Sequence, residues 1–169
     1  AQSALYHITH ALMHLMAPIL SFTADEIWQT LGLDASASVF EELWYELPAH
    51  SMSAANIQAW QVVIEERANA LKEIEKLREK GLLGSSLQAE LTFYVAGASF
   101  QALNSLSDDL RFVMITSSAV VVERQDESLT MVVVHPSTHK KCERCWHYRA
   151  DVGADPKHPT ICDRCVCNE

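Results

Sequence analysis

Basic side chains are missing from the first 66 residues of this sequence, since no Lys or Arg occurs before Arg67. The 169 residues carry 22 acidic and 13 basic side chains, which gives a formal net charge of −9. This balance excludes a generic nucleic-acid coat protein, because binding along phosphates depends on clustered Lys and Arg. The hydrophobic fraction is 49%, so the chain can bury a core and is expected to be globular, not disordered.

Long apolar runs and the common catalytic motifs are also lacking. No run approaches the roughly 20 apolar residues that a membrane-spanning helix needs. The N-terminus lacks the basic and apolar stretches of a secretory signal. The sequence has no GxGxxG, GxSxG or HExxH motif and no phosphate-binding P-loop. We therefore expect a cytoplasmic protein with no membrane partner and with no catalytic residues in this chain.

Five cysteines are present, and four of them form two Cys-x2-Cys pairs, Cys142 with Cys145 and Cys162 with Cys165. Two such pairs supply the four soft thiolate ligands of a closed tetrahedral zinc site, and their spacing is typical of zinc-binding sequences. Four protein ligands leave no open position for water, so the pattern predicts one structural Zn²⁺. Iron held by four thiolates is the chemical alternative. Cys167 is interpreted as a spare thiol.

The residues around the cysteines are basic and aromatic, and 136–169 hold six basic and five acidic side chains. Basic residues interleaved with aromatic ones suit phosphate pairing and base stacking. For Trp146 the favoured interpretation is nevertheless packing over the zinc knuckle. For the Lys and Arg side chains, a role as solvent-exposed charges without a partner is as well supported as RNA contact. The candidate RNA contacts are Lys140, Lys141, Arg144, Trp146, Arg149 and Arg164.

Apolar residues at helical spacing dominate the first half of the chain. Residues 5–19 form one apolar stripe. Thr23 and Glu26 have the form of a capping box for a second helix, which Gly32 would end. Residues 33–52 lack periodicity and are expected to form an extended connection that holds four apolar side chains against a core, namely Val39, Phe40, Leu43 and Trp44.

A long helix is expected over 53–80, where acidic and basic residues can pair at i,i+4 spacing. The apolar period then changes to two in a predicted strand at 87–95. Short helices are expected within 99–115, and the β-rich runs 119–123 and 128–134 are interpreted as a hairpin. The predicted fold is α+β, with a partial helical bundle containing the long helix at 1–84, a small α/β subdomain at 85–135 and a four-cysteine zinc finger at 136–169.

Several segments of the sequence resemble one family. The segment LMAPILSFTADEIW at 15–28 is similar to the helical anticodon-binding domain of class Ia aminoacyl-tRNA synthetases. Five further segments resemble isoleucyl-tRNA synthetases in the same order, and the last three resemble the C-terminus of the bacterial enzymes. They are VFEELWYEL at 39–47, LLGSSLQAEL at 82–91, DLRFVMITS at 109–117, KCERCWHY at 141–148 and ICDRCVCN at 161–168.

The resemblance implies that the chain is the C-terminal part of a bacterial isoleucyl-tRNA synthetase and begins partway through its anticodon-binding bundle. Such an enzyme uses ATP and Mg²⁺ to attach isoleucine to tRNA-Ile. The His-Ile-Gly-His-type and Lys-Met-Ser-Lys-Ser-type motifs of its catalytic domain do not occur here, and the editing domain is missing too. The chain would therefore contribute anticodon-side tRNA contact and structural zinc, with tRNA-Ile and the missing domains of the same enzyme as its partners.

Two other functions are compatible with the cysteine pattern. The same finger resembles the C-terminus of formamidopyrimidine-DNA glycosylases, where it grips DNA. Those enzymes use an N-terminal Pro-Glu pair for catalysis, whereas this chain begins Ala1-Gln2, and the helical pattern before the finger fits the synthetases better. A zinc ribbon that binds only protein is the third interpretation, because the rest of the chain is so acidic.

Overall fold

The computed structural model describes residues 2–32, 38–49, 52–126 and 130–168. The chain divides into two compact units, Ala1–Ser51 and Met52–Glu169, and each is described by itself. Helices combine with small sheets, which confirms the predicted α+β class. Within the described ranges, no helix is both long enough and apolar enough to span a membrane. The division into three domains stays a prediction.

Two helices and a short 3₁₀ turn build the first unit. Helix α1 spans Gln2–Met16, helix α2 spans Ser21–Leu31, and the 3₁₀ turn spans Val39–Glu41. Gly32 ends α2 in the left-handed conformation at φ 64°, as predicted. The small core of this unit is formed by Met13, Ala17, Ala24, Trp28 and Val39.

The predicted capping box at the start of α2 is wrong. The carbonyl of Leu20 accepts the first helical hydrogen bond, from the N–H of Ala24 at 2.9 Å, and no side chain caps the helix. Thr23 and Glu26 therefore lie inside the helix, because it begins at Ser21. A Thr hydroxyl in this position cannot act as an N-cap, which has to precede the first helical residue.

The expectation that four apolar side chains of the connection pack against a core is wrong for three of them. Val39 is 3% exposed, whereas Phe40, Leu43 and Trp44 are exposed. The carboxylate of Asp25 accepts hydrogen bonds from the Val39 N–H at 3.2 Å and, at 2.6 Å, from the hydroxyl of the residue before it. These bonds fix the connection to α2 at Val39, and the side chains that follow turn outward.

Helix α3 spans Ala54–Glu79 and confirms the long helix that was predicted. It begins with a side-chain cap, since the hydroxyl of Ser53 accepts the Asn56 N–H at 3.2 Å. At its end the N–H of Gly81, at φ 70°, donates to the Arg78 carbonyl at 2.9 Å. The next N–H closes a wider turn back to the Leu77 carbonyl at 3.0 Å. These two bonds form a Schellman C-cap.

The sheet of the second unit has the order β2-β1-β3. Strand β1, Ala89–Val95, pairs in parallel with β2, Ser118–Glu123, and antiparallel with β3, Met131–Pro136. The predicted hairpin of the last two strands is therefore wrong, because β1 lies between them. Helices α4, Gly97–Asn104, and α5, Leu110–Met114, carry the chain back from β1 to β2. A crossover of this kind is what parallel pairing requires.

The core of the second unit lies between this sheet and its helices. Alternate residues of β1, including Leu91 and Phe93, are buried to 1% exposure or less. Ile74 of α3, Leu103 of α4 and Leu110 of α5 pack into the same cluster. Helix α3 is therefore part of the core that holds the sheet, although its periodicity alone suggests only a long amphipathic helix.

The cysteine-rich tail, residues 137–168, packs against the rest of this unit through partly buried hydrogen bonds. The hydroxyl of Ser117 donates to the Leu87 carbonyl and accepts the Tyr148 N–H at 2.6 Å. The N–H of Ser137 donates to the Gln88 carbonyl at 2.7 Å. Within the tail, β4, Lys140–Lys141, pairs with β5, Tyr148–Arg149, and α6 spans Asp163–Val166. The tail is thereby fixed next to the end of α5.

The apolar stripe predicted at 5–19 lies on an exposed side of α1. The side of α1 that faces the small core instead carries Met13, together with the buried His10 and His14. A contiguous apolar surface of this kind marks a site where protein associates with protein. The exposed side chains of this surface, 46–82% exposed, are Leu5, Ile8, Leu12, Leu15 and Ile19.

We predict that replacing Ile8 and Leu12 by Gln reduces self-association of this chain, because both side chains contribute to the exposed apolar side of α1. Sedimentation velocity should show fewer oligomers than for the unsubstituted chain. The free energy of unfolding should change by less than about 1 kcal/mol, since each exposed position contributes within roughly 0.5 kcal/mol. The matched control replaces Ile64 and Leu71, two exposed apolar residues of α3, by Gln. A monomeric unsubstituted chain, or an equal loss of oligomers in the control, would contradict this prediction.

Candidate metal centre

The four cysteines of the two Cys-x2-Cys pairs converge on one point. Their sulfur atoms all lie within 4.8 Å of one another. The Sγ atoms of Cys142 and Cys165 are 3.8 Å apart, and those of Cys145 and Cys162 are 3.7 Å apart. A tetrahedron with metal–sulfur bonds of about 2.3 Å has sulfur–sulfur edges of about 3.8 Å. The sulfurs are therefore spaced as four ligands of one metal ion, and all four cysteines are free of disulfides.

Backbone hydrogen bonds shape the two turns that carry the sulfurs. In the first turn the Cys142 N–H donates to the His147 carbonyl at 2.8 Å, and the Trp146 N–H returns to the Cys142 carbonyl at 2.9 Å. In the second turn the Cys165 N–H donates to the Cys162 carbonyl at 2.8 Å, where α6 begins. The N–H of Cys162 also points at the Cys142 sulfur, at 3.4 Å. Each turn thus aims two sulfurs at the same centre.

The electrostatics of the cluster favour a bound cation. Burial by itself would raise the pKa of the Cys142 thiol, but the backbone N–H groups of Cys145, Cys162 and Arg144 hold this pKa at about 6. Burial raises the pKa of Cys165 to about 12 and also raises the pKa of Cys162. Burial therefore opposes ionisation of Cys162 and Cys165, and the positive charge of a bound metal ion would offset this effect.

The donor set fits Zn²⁺ in a structural role. Cys142 and Cys162 are completely buried and Cys165 is 6% exposed, and four sulfurs fill a tetrahedral shell without water. Cys167 is exposed and lies outside the cluster, as expected for a spare thiol. The His147 ring bonds through Nδ1 to the Cys145 carbonyl at 3.1 Å and so supports the first turn. Among the described residues, the group of side chains that could hold the metal consists of the four cysteines and does not include this histidine.

Five of the six candidate RNA contacts are exposed, and Arg149 is the half-buried one. Lys140 and Lys141 are exposed, and the Lys141 Nζ lies 5.6 Å from the centre of the Trp146 ring. Trp146 is 59% exposed, so the favoured interpretation of this ring as packed core is wrong. Its backbone is left-handed, at φ 64°.

Two of the candidate arginines have partners within the protein. The guanidinium of Arg144 donates to the carbonyls of Cys165 at 3.0 Å and Asn168 at 3.1 Å, and so joins the first turn to the second. Arg149 forms a bidentate pair with Asp151 at 2.7 and 2.9 Å. This hydrogen-bonded pair raises the pKa of Arg149 and lowers the pKa of Asp151. Both arginines therefore have structural roles that the sequence pattern does not reveal.

Helix α5 adds residues that the sequence analysis missed as candidate contacts. The Arg164 guanidinium lies over the Phe112 ring, 4.9 Å from its centre, and Arg111 lies over the same ring at 4.9 Å. The His147 ring meets Phe112 edge-on at 5.6 Å. Arg111 and Phe112 belong to the segment 109–117 that carries part of the family resemblance. Nothing in the linear pattern places that segment beside the zinc finger.

We predict that Cys145→Ser lowers zinc affinity by more than about 100-fold, because it removes a ligand, and changes to groups around the ligands already cost 10–100-fold. Metal analysis should give one zinc per unsubstituted chain and clearly less for this variant. The matched control is Cys167→Ser, an exposed cysteine outside the cluster, which should keep one zinc.

Removal of zinc by a chelator should raise amide hydrogen exchange after Pro136 and leave the sheet core around Phe93 protected. The reason is that metal binding and folding are coupled in small zinc domains. Less than one metal per unsubstituted chain, iron in place of zinc, or an equal loss of zinc in the Cys167→Ser control would contradict the assignment.

Two family models match this chain. The anticodon-binding domain of tRNA ligase matches residues 1–93. The zinc finger found in FPG and IleRS matches residues 140–166. The description of the finger covers both a DNA-repair class and a synthetase class, so the finger does not distinguish them by itself. The match over the first 93 residues distinguishes the two classes, because its description names only tRNA ligases.

Curated relatives agree with this assignment. The isoleucine–tRNA ligase of Cupriavidus necator is 51% identical over 171 residues, and that of Burkholderia cenocepacia is 50% identical over 168 residues. Each alignment covers 99% of this chain but 18% of the relative, so the chain spans about a fifth of the length of these relatives. Because the first model covers more than half of the 169 residues, the chain belongs to the family of anticodon-binding domains of tRNA ligases and carries the zinc finger found in FPG and IleRS.

Proposed function

We propose that this chain is the tRNA-binding and zinc-binding part of an isoleucyl-tRNA synthetase and that it contacts the anticodon side of tRNA-Ile. The observation that carries the proposal is the presence in one chain of an anticodon-binding match over 1–93 and a four-sulfur cluster inside a synthetase-type finger. Identity of about 50% to isoleucine–tRNA ligases over 99% of the chain supports the amino-acid assignment.

The chemistry of the enzyme would take place outside these 169 residues. A synthetase of this kind uses ATP and Mg²⁺ to attach isoleucine to tRNA-Ile, and its catalytic and editing domains would be the covalent partners of this chain. The proposed location is the cytoplasm, because the tRNA substrate is used there. The contribution of this chain is to bind and orient the anticodon arm, and the zinc ion keeps the binding surface folded.

The distribution of charge favours the second unit as the main contact for phosphates. The first unit has no Lys or Arg, so it can offer RNA only backbone amides and neutral polar groups. In the tail, Lys140 and Lys141 are consecutive residues of β4, are exposed, and form none of the ion pairs found among the described residues. Unpaired Lys side chains that neutralise phosphates bind RNA by releasing counterions.

The backbone of Trp146 supports a role for its ring in binding. A left-handed conformation costs an L-residue about 1–2 kcal/mol, and Trp146 adopts it at φ 64° with 59% of the residue exposed. The zinc turn holds the residue in this conformation, since the Trp146 N–H donates to the Cys142 carbonyl at 2.9 Å. Strained residues held in place by surrounding structure often belong to functional sites. We infer that the zinc turn presents the Trp146 ring for stacking on an unpaired base.

We predict that Lys140→Ala combined with Lys141→Ala weakens tRNA-Ile binding by the full-length enzyme and flattens its salt dependence. Each phosphate contact contributes roughly 0.7–0.9 to the slope of log affinity against log salt, so the slope should fall by about 1.4–1.8. Arg144 is left in place because it joins the two zinc turns. The measurement is a filter-binding titration at several salt concentrations, together with zinc analysis.

The matched control for the lysines is Lys76→Ala with Arg78→Ala on α3, two cations that pair within the helix with Glu73 and Glu75. Its slope should stay close to that of the unsubstituted enzyme. If the Lys140 and Lys141 variant keeps both affinity and slope while its zinc content is normal, β4 does not contact phosphates and this part of the proposal is wrong.

We predict that Trp146→Gly separates binding from stability. Gly adopts a left-handed backbone without steric cost, so the finger should be as stable as before, or more stable by up to about 1 kcal/mol. Affinity for tRNA-Ile should fall by about 5- to 150-fold, since stacking on an aromatic ring contributes roughly 1–3 kcal/mol per base. Trp146→Phe keeps a ring and should retain most of the affinity. Normal affinity in the Gly variant would show that the ring is not a stacking surface.

A further inference from the structure

Two guanidinium groups from distant parts of the chain lie on one aromatic ring. Arg111 of α5 and Arg164 of α6 are each 4.9 Å from the centre of the Phe112 ring. In a cation–π contact of this kind, the negative face of the ring attracts the guanidinium group. The ring is therefore contacted by two guanidinium groups, one from α5 and one from α6.

Neither of these arginines is neutralised by the protein. Among the described residues, neither side chain takes part in an ion pair or donates a hydrogen bond. Arg144, by contrast, donates two hydrogen bonds to backbone carbonyls, and Arg149 forms a hydrogen-bonded ion pair with Asp151. Two guanidinium groups without carboxylate partners thus meet at one ring, in a protein whose formal net charge is −9.

The packing of the tail on the sheet brings these charges together. The buried hydroxyl of Ser117 joins the Tyr148 N–H to the Leu87 carbonyl, which places the finger beside the end of α5. An open groove of about 290 Å³ runs along this junction, and Arg111 lies on its wall. The same wall carries two acid–base pairs, His139 with Glu90 at 3.9 Å and Arg149 with Asp151 at 2.7 Å. Arg111 is therefore the arginine of this groove that has no ion pair among the described residues, and the Phe112 ring connects it to Arg164 of the finger.

We propose that Arg111 and Arg164, held on Phe112, clamp the phosphodiester backbone of an RNA strand and extend the RNA-binding surface from the zinc finger onto α5. Guanidinium edges match phosphate oxygens in a bidentate geometry. Contact with Phe112 holds both guanidinium groups in place without neutralising their charge. The neighbouring Trp146 is exposed, so the clamp and the stacking ring could engage one strand. That the RNA is tRNA-Ile rests on the proposed function.

The test uses the full-length enzyme with Arg111→Gln, Arg164→Gln and the double variant, and it measures tRNA-Ile affinity at several salt concentrations. Each single change should lower the salt slope by about 0.7–0.9 and the double change by about 1.4–1.8. Arg111→Lys with Arg164→Lys should keep the slope but lose affinity, because Lys retains the charge and lacks the bidentate edge. Zinc content should be normal throughout. The matched control is Arg78→Gln, an α3 arginine that pairs with Glu75.

The outcomes separate this proposal from the proposed function. If the unsubstituted enzyme binds duplex DNA as tightly as tRNA-Ile, the proposed function fails. If it prefers tRNA-Ile and the double Gln variant keeps an unchanged slope with normal zinc, only the clamp is overturned. An equal slope loss in the double Lys and double Gln variants would indicate a packing role and would also overturn the clamp. Polyglutamate serves as a probe for an acidic protein partner. If the double Gln variant loses binding to polyglutamate but keeps its binding to tRNA-Ile, these arginines bind an acidic protein and the clamp is overturned.

Discussion

Four sulfur atoms within 4.8 Å of one another need a cation between them if they are to carry negative charge, and the tail of this protein depends on that constraint. The tail has little other core, since only Val152 and Ile161 accompany the cysteines in its apolar cluster. Metal binding therefore takes the place of hydrophobic burial, with apparent energies of about 10–16 kcal/mol in small zinc peptides. The candidate RNA contacts include Lys141 and Trp146, which are adjacent in sequence to the ligands Cys142 and Cys145. Their positions therefore depend on metal binding.

The sheet positions the zinc finger next to α5. Strand β1 is paired on both sides, and the turn before β2 supplies Ser117, whose hydroxyl anchors the finger through Tyr148. The crossover that makes β1 and β2 parallel also carries α5, so the same topology that builds the sheet brings Phe112 against Arg164. The candidate RNA surface is in this sense a product of strand order as well as of zinc coordination.

The features of this structure that depend on residues close together in the sequence could be predicted, and those that depend on long-range packing could not. The four zinc ligands follow from spacing alone, and the long helix follows from apolar periodicity. The false hairpin shows the limit, because strands near in sequence are paired here through a third strand, and only long-range burial of residues such as Phe93 determines that order. The exposure of Trp146 depends on one backbone dihedral, and the internal partners of Arg144 and Arg149 depend on how the second turn folds back. None of these is encoded in residue spacing.

The most direct test of the account is zinc K-edge X-ray absorption on the metal-replete protein, because it reports the ligand shell itself. Four ligands from Cys142, Cys145, Cys162 and Cys165 predict a single shell of four sulfurs at about 2.3 Å. A shell with one or more nitrogen or oxygen atoms at about 2.0–2.1 Å would mean that a histidine, a carboxylate or water completes the site. That result would contradict the closed four-sulfur centre on which the folding of the tail depends.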